Sequence, residues 1–374
     1  MPLQCPLTQR RLRLFAVAFF LVVMVANLGR YLVFDGLYLW DARLRWQECA
    51  YVLGNLINPG FMPCRVACVY LLVLDFLAPL VTAFFLARFL LRSHCVQDRY
   101  TAVLAALLVF APSMWANAVL FGNQSGIVCC CVMLSMCLLD QNEIVAGLLL
   151  AVAMCKPQIA FPFLFPLLCR RRWKVIGVTS GTVLGAWLLA SILTEKGPIA
   201  LAAEMLRQGL SYSSSYYGLF NWMLPFGAST KLVLVLDMAA GLAVLIVAAW
   251  WIFRNHLEQD WLTWYAVTAV VSVFWFYKQG HDYIILALPA IAIFCLRRVT
   301  LPAWGSILIL LVDVIAFGVP KLCTLLLGLS RDAVYPWAKL AETLAILATL
   351  YYVFRSAKER CTPAGLAEVQ QPNS

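Results

Sequence analysis

The sequence predicts an all-α polytopic integral membrane protein, and three observations carry that prediction. First, the 374 residues are 63% hydrophobic and only 12% charged, with a mean hydropathy of +0.86. A soluble domain of this length cannot hide so much apolar surface, because area does not shrink fast enough with volume. Second, apolar runs separated by short charged clusters recur from Leu14 to Phe354; a run of about 20 residues at about 1.5 Å per residue spans a hydrocarbon core of roughly 30 Å. Third, such long runs satisfy their own backbone polar groups only as helices.

Taken in order, the first run follows Arg10, Arg11 and Arg13 and continues to about Leu28 with no small-residue cleavage site, so it reads as an uncleaved span over 13–31. Further spans are expected over 66–90, 101–119, 126–139, 144–156, 158–169, 175–193, 232–253, 262–277, 283–296, 301–319 and 336–354, about twelve in all. They form one membrane domain over 1–361, followed by a polar tail over 362–374. With the N-terminus cytoplasmic, the inner loops collect Arg10, Arg11, Arg13, Arg88, Arg92, Arg99, Arg170, Arg171, Arg172, Lys174, Arg254, Arg297, Arg298, Arg355, Lys358 and Arg360. Those are sixteen of the 28 Lys and Arg, the asymmetry of the positive-inside rule. Both termini, and the tail, then face the cytoplasm.

The stretch from Ile144 to Cys169 tests this topology. As one helix it is roughly 39 Å long, which demands strong tilt, and it carries Arg170–Arg172 to the outer side. Breaking it at Lys156-Pro157-Gln158 returns the arginines to the cytoplasm, and Pro157 disfavours helix at the residue before it. Phe121-Gly122-Asn123-Gln124-Ser125 and Lys278-Gln279-Gly280-His281-Asp282 interrupt two other apolar stretches in the same way. All three breaks fall on the external side. Irregular backbone and charge at membrane depth are tolerated against protein or a water-filled cavity, so the breaks predict an outward-facing polar cavity.

Two longer external loops are expected, at about 31–65 and 194–231. Leu37, Trp40, Leu44 and Ala50 give the first an amphipathic stretch suited to lying along the interface. The second ends in Ser211-Tyr212-Ser213-Ser214-Ser215-Tyr216-Tyr217, a polar-aromatic run that suits either a sugar face or the bilayer interface. Cys49 and Cys64 share the first loop and are candidates for pairing, whereas Cys129, Cys130, Cys131 and Cys137 sit in apolar runs as small hydrophobes. Three histidines without a Cys-x-x-Cys argue against a structural zinc site.

Chemistry-bearing residues on the outer side are of two kinds. Asp35 and Asp41 follow the first span, and a carboxylate near basic groups stays ionised and can take a proton from a hydroxyl; salt-bridged loop residues look the same. The second kind is a set of cations, Arg30, Arg43, Arg45, Arg65, Lys156, Lys231 and Lys278, of which Lys156 is the most informative because it lies inside an apolar hairpin. Arg30 and Arg65, at span ends, are explained by snorkelling. His281 and Asp282 can orient a sugar hydroxyl, position a phosphate or shuttle a proton, or belong to a plain interfacial loop. Asp75, Asp237, Asp313 and Glu342 lie within spans and are not ranked; Asn123-Gln124-Ser125 is a glycosylation sequon too close to the bilayer to carry a glycan.

Four stretches together resemble the polyprenyl-phosphate-sugar-dependent glycosyltransferases of the GT-C superfamily, and most closely glycosyltransferase family 87, a membrane α-mannosyltransferase-like group. They are Trp40-Asp41 through Leu53-Gly54 to Asn58-Pro59; Phe121-Gly122-Asn123-Gln124; Ala146-Gly147-Leu148-Leu149-Leu150 through Lys156-Pro157 to Arg170-Arg171-Arg172-Trp173; and Gly280-His281-Asp282-Tyr283 with Leu288-Pro289. The third is the most specific. Two departures stand out: a Gly-Asn-Gln where the family has Gly-Gln, and two candidate acids in the first loop.

The resemblance implies a GT-C-like bundle and an inverting transfer of a mannose-like sugar from a polyprenyl-phosphate donor to a hydroxyl of a glycan or glycolipid acceptor, outside the cytoplasm. It implies Asp41, or Asp35, as general base and His281 as a positioning group. Lys156, Lys278, Arg43 and Arg45 would hold the donor phosphate, with Asn123, Gln124, Gln158, Asp282 and Tyr283 lining the cavity. No cofactor, no metal and no nucleic-acid partner is expected, and the setting expected from the resemblance is a bacterial inner membrane. The rival readings are a lipid-linked-sugar transporter or flippase, for which repeat symmetry and midplane charge are expected, and an O-antigen ligase or polymerase, for which one dominant external loop is expected.

Overall fold

A computed structural model describes residues 63–96, 98–110, 123–193, 195–203, 219–276, 280–295 and 331–361, together with Cys323, Leu326 and Gly328. Regular structure there is helical throughout, and among the described residues there is no strand. The chain is a helical membrane protein. The expected spans 13–31 and 301–319, the first loop to Met62, the Cys49–Cys64 pairing, Ser211–Tyr217, Asp313 and the tail 362–374 lie outside the described residues, as does the side chain of Glu342.

Among the described residues, four segments are long and apolar enough to cross a bilayer: Val69–Arg92, Trp173–Leu193, Thr230–Arg254 and Pro336–Lys358. They belong to helices α1 (Cys64–Arg92), α7 (Trp173–Leu193), α8 (Thr230–Arg254) and α11 (Arg331–Cys361). The remaining apolar helices are short: α2 (Arg99–Leu107), α3 (Ser125–Leu138), α4 (Glu143–Ala153), α5 (Pro157–Ala160), α6 (Leu164–Cys169), α9 (Trp261–Ser272) and α10 (Ala287–Phe294). About twelve full crossings is therefore more than the described residues show.

Long and short helices occupy different layers. On α1, Val69, Val73, Phe76, Leu80 and Phe84 form an exposed stripe at helical spacing, and on α8 Val235, Met238, Leu242, Ile246 and Trp250 do the same. In lipid such faces need no cover. By contrast every residue of α9 and α10 is buried, and so is α3 from Ser125 to Cys137. The short helices α3, α9 and α10 form the interior, with α1, α4, α8 and α11 packed around them and α7 packed on α4.

Local sequence explains where the elements begin and how closely they pack. Asp98, Asn142, Ser229 and Asp260 cap α2, α4, α8 and α9 by accepting backbone N–H groups of the first turn. At Gly147 an added Cβ would lie 2.8 Å from Val178 Cβ and 3.0 Å from the Val175 carbonyl, so only glycine lets α4 lie this close to α7. Thr179 crosses the same seam, donating to the Gly147 carbonyl at 3.0 Å. At Gly241 a Cβ would lie 2.8 Å from Trp275 Cβ, which brings α8 directly against the end of α9.

Candidate active site

The first break ends where Asn123 turns its side chain back onto the start of α3, its Oδ1 accepting from the Ser125 N–H at 3.0 Å. The second is set by proline chemistry. Lys156 takes φ −121° and ψ 77°, outside the helical region, and Pro157 opens α5 at a position where its missing N–H costs nothing. In the third, α9 stops at Ser272 and the chain resumes as a 3-10 helix, Gly280–Leu286, which carries Asp282 and Tyr283.

These three breaks, far apart in sequence, meet. Lys156 Nζ donates to Asn123 Oδ1 at 2.6 Å and to Ser125 Oγ at 2.6 Å, and pairs with Asp282 Oδ1 at 3.2 Å. Ser125 Oγ lies 2.6 Å from the same Asp282 oxygen and 2.7 Å from Asn123 Oδ1. A lysine ammonium has three N–H groups, and here each faces one acceptor. Asn123 must present its oxygen, since lysine only donates. The Ser125 hydroxyl has one hydrogen, and Asn123 Oδ1 already receives two N–H groups. That hydrogen therefore belongs to the charged carboxylate of Asp282, the stronger acceptor.

The cluster is closed to solvent. Lys156 is 2% exposed and Asn123, Ser125 and Asp282 are 0% exposed. A buried ion pair of this kind adds little net stability over an apolar replacement, but removing one partner costs about 3–5 kcal/mol because the other charge is left bare. The sequence led us to expect these side chains to line an open cavity; instead they are turned onto one another. Around them, Cys155 Sγ lies 3.7 Å from Gln124 Oε1. Trp275 donates its indole N–H to the Gln158 carbonyl at 2.7 Å and stacks on Phe161 with centroids 5.6 Å apart. Gly241 thus acts on the second break through Trp275.

The opposite end of α3 holds a different charge cluster, separated from Ser125 by roughly 20 Å of helix. Arg172 pairs with Asp140, and with Glu143 at 2.9 Å, while Arg170 and Arg172 both lie over the Trp261 ring, at 4.8 and 5.4 Å from its centre. Burial, with Arg172 close by, pulls the Arg170 guanidinium below its ordinary value. The Arg170-Arg171-Arg172 run is thus a tether between the ends of α3, α6 and α9.

Of the residues singled out from sequence, Asn123, Lys156 and Asp282 join one hydrogen-bonded cluster, while Gln124, Gln158 and Tyr283 are buried beside it. Asp35, Asp41, Arg43, Arg45 and Lys278 lie outside the described residues, and of His281 only the backbone is described. Ser125 was read as the end of the first break and as part of a sequon, with no role in the site, yet its hydroxyl bridges Lys156 and Asp282. The available signal was its place as first helical residue after a polar break. The in-span acids separate too. Asp237 accepts the Phe220 N–H at 3.0 Å and so anchors the end of the second loop, whereas both oxygens of buried Asp75 lack a hydrogen-bond partner among the described residues.

Residues 54–206 match the model of glycosyltransferase family 87. This is the family that the four sequence stretches resemble, and the matched segment contains Asn123, Gln124, Ser125, Lys156 and Gln158; Asp282 comes from beyond it. The match supports a glycosyltransferase, and the long apolar helices place it in a membrane. No curated protein and no solved structure matches it.

Proposed function

We propose that this protein is a family 87-type inverting hexosyltransferase that moves a mannose-like sugar from a polyprenyl-phosphate donor to a hydroxyl of a glycan or glycolipid acceptor on the non-cytoplasmic side of a membrane. The observation that carries the reading is the buried lysine at the meeting of the three breaks, 2% exposed and drawn from three separate apolar stretches. A cation fixed in an apolar bundle suits an anionic donor that arrives through the lipid.

In the transfer, the acceptor oxygen forms the new bond to the sugar's anomeric carbon as the bond from that carbon to the phosphate oxygen breaks. The acceptor proton goes to Asp41, or to Asp35, as general base. The electron pair of the broken bond stays on the departing polyprenyl phosphate, which gains negative charge. Lys156, Lys278, Arg43 and Arg45 stabilise that charge, and His281 positions the donor phosphate or the acceptor. Asn123, Gln124, Gln158, Asp282 and Tyr283 shape the site, and neither cofactor nor metal takes part. Termini in the cytoplasm fit the distribution of Lys and Arg, and the resemblance to family 87 favours a bacterial inner membrane.

The test is sugar transfer in proteoliposomes holding the full chain and polyprenyl-phosphate mannose with a lipid-linked acceptor. The wild type transfers and Asp41→Asn does not. Full activity in Asp41→Asn with loss in Asp35→Asn moves the base to Asp35, and use of a nucleotide sugar in place of the lipid donor overturns the reading.

A further inference from the structure

The Lys156 cluster raises a question that its proposed role leaves open. A phosphate oxygen needs an N–H, and all three of the ammonium's are taken, by Asn123 and Ser125 at 2.6 Å and by Asp282 at 3.2 Å. With Lys156 2% exposed there is no fourth direction from which an anion can add. An incoming phosphate must replace one of the three.

The identity of the displaced group follows from distance and charge. Asn123 and Ser125 hold Lys156 through the two short contacts, and both sit at the start of α3, where the Ser125 N–H ties Asn123 Oδ1 in place. Asp282 makes the longest contact and comes from the separate 3-10 helix Gly280–Leu286. It is also the anion of the cluster. A second anion arriving beside it raises the buried negative charge, whereas exchanging one for the other leaves the charge unchanged. The exchange is the low-cost route.

We propose that Asp282 is a built-in competitor for phosphate: it occupies on Lys156 the position that the phosphate of a lipid ligand takes, and leaves when that ligand binds. The inference rests on the proposed lipid-phosphate donor and adds a positioning residue to it. The donor is a phosphodiester with one negative charge, so the swap is neutral. The departing polyprenyl phosphate is a monoester carrying a second charge at neutral pH, and on its release Asp282 returns to Lys156. Ser125 is the latch, because its hydroxyl donates to Asp282 and accepts from Lys156.

The competitor can be removed while the ammonium is kept. Binding of polyprenyl phosphate is measured to the purified full chain in phosphatidylcholine nanodiscs, for wild type, Asp282→Asn, Ser125→Ala and Lys156→Met, with phosphatidic acid and inorganic phosphate as comparison ligands. Asp282→Asn is expected to bind polyprenyl phosphate roughly tenfold more tightly than wild type, the scale of one charge-assisted hydrogen bond. Ser125→Ala shifts the same way, and Lys156→Met loses binding. If the gain appears equally with phosphatidic acid, the exchange stands for lipid phosphate in general; a gain confined to polyprenyl phosphate ties it to the donor. A wild type that binds polyprenyl phosphate while folded Asp282→Asn and Ser125→Ala bind it equally or more weakly overturns the exchange and leaves the donor reading intact. A wild type that binds none overturns both.

Discussion

Replacing Lys156 by methionine keeps most of the side chain's length and removes only its charge and its donors. Three contacts vanish at once, at 2.6, 2.6 and 3.2 Å, and Asp282 keeps a carboxylate that is 0% exposed. The expected loss is about 3–5 kcal/mol, dominated by taking the cation from a buried carboxylate rather than by the bonds themselves. Asp282→Asn strands the ammonium instead and destabilises by a similar mechanism. The double variant strands neither, so its cost falls well short of the sum. The assay is a double-mutant cycle on the full chain, unfolded by titration in mixed micelles. An interaction energy of at least about 2 kcal/mol is expected from a pair in direct buried contact. Additivity to within roughly 0.5 kcal/mol refutes the reasoning, since that is the behaviour of sites that do not touch.

Other consequences follow from single positions. Asp75→Leu removes a buried carboxyl whose oxygens have no partner among the described residues, so it should raise stability by roughly 1–3 kcal/mol in the same unfolding titration; lower stability means that a partner was present. If transfer activity is lost while stability rises, Asp75 takes part in function. Gly147→Ala places a methyl 2.8 Å from Val178 Cβ and against the Val175 carbonyl, and should cost about 1–3 kcal/mol with a lower unfolding temperature. Trp261→Ala takes away the ring beneath Arg170 and Arg172 and should cost about 3–5 kcal/mol. Trp261→Phe, which keeps a ring, should recover most of that; equal losses in both would assign the effect to the indole's shape rather than to the cations.

The breaks were legible because each sets polar residues, with Gly or Pro, against a long apolar background. Helices expected over 126–139 and 144–156 are found at Ser125–Leu138 and Glu143–Ala153, and the Lys156-Pro157 hinge is where proline chemistry puts it. What one sequence did not reveal is which side of each helix faces inward. Periodicity says little when a helix is apolar all round, as α3 and α9 are, because the whole circumference is buried. The difference between Asp75, left alone, and Asp237, bonded to the Phe220 amide, depends on helix rotation and on what packs opposite. Ser125 was hidden for a related reason: its partner Asp282 is 157 residues away.

In the proposed reaction the breaks at Asn123–Ser125, Lys156–Gln158 and Gly280–Tyr283 receive the phosphate end of a lipid donor. The most direct test is photolabelling of the full chain in proteoliposomes with a polyprenyl phosphate bearing a diazirine on the isoprene unit next to the phosphate, followed by peptide mapping. Labelled peptides are expected from these three segments, competed away by unlabelled donor. Competable labelling confined to other parts of the chain, such as the lipid-facing stripes of α1 or α8, would contradict that expectation.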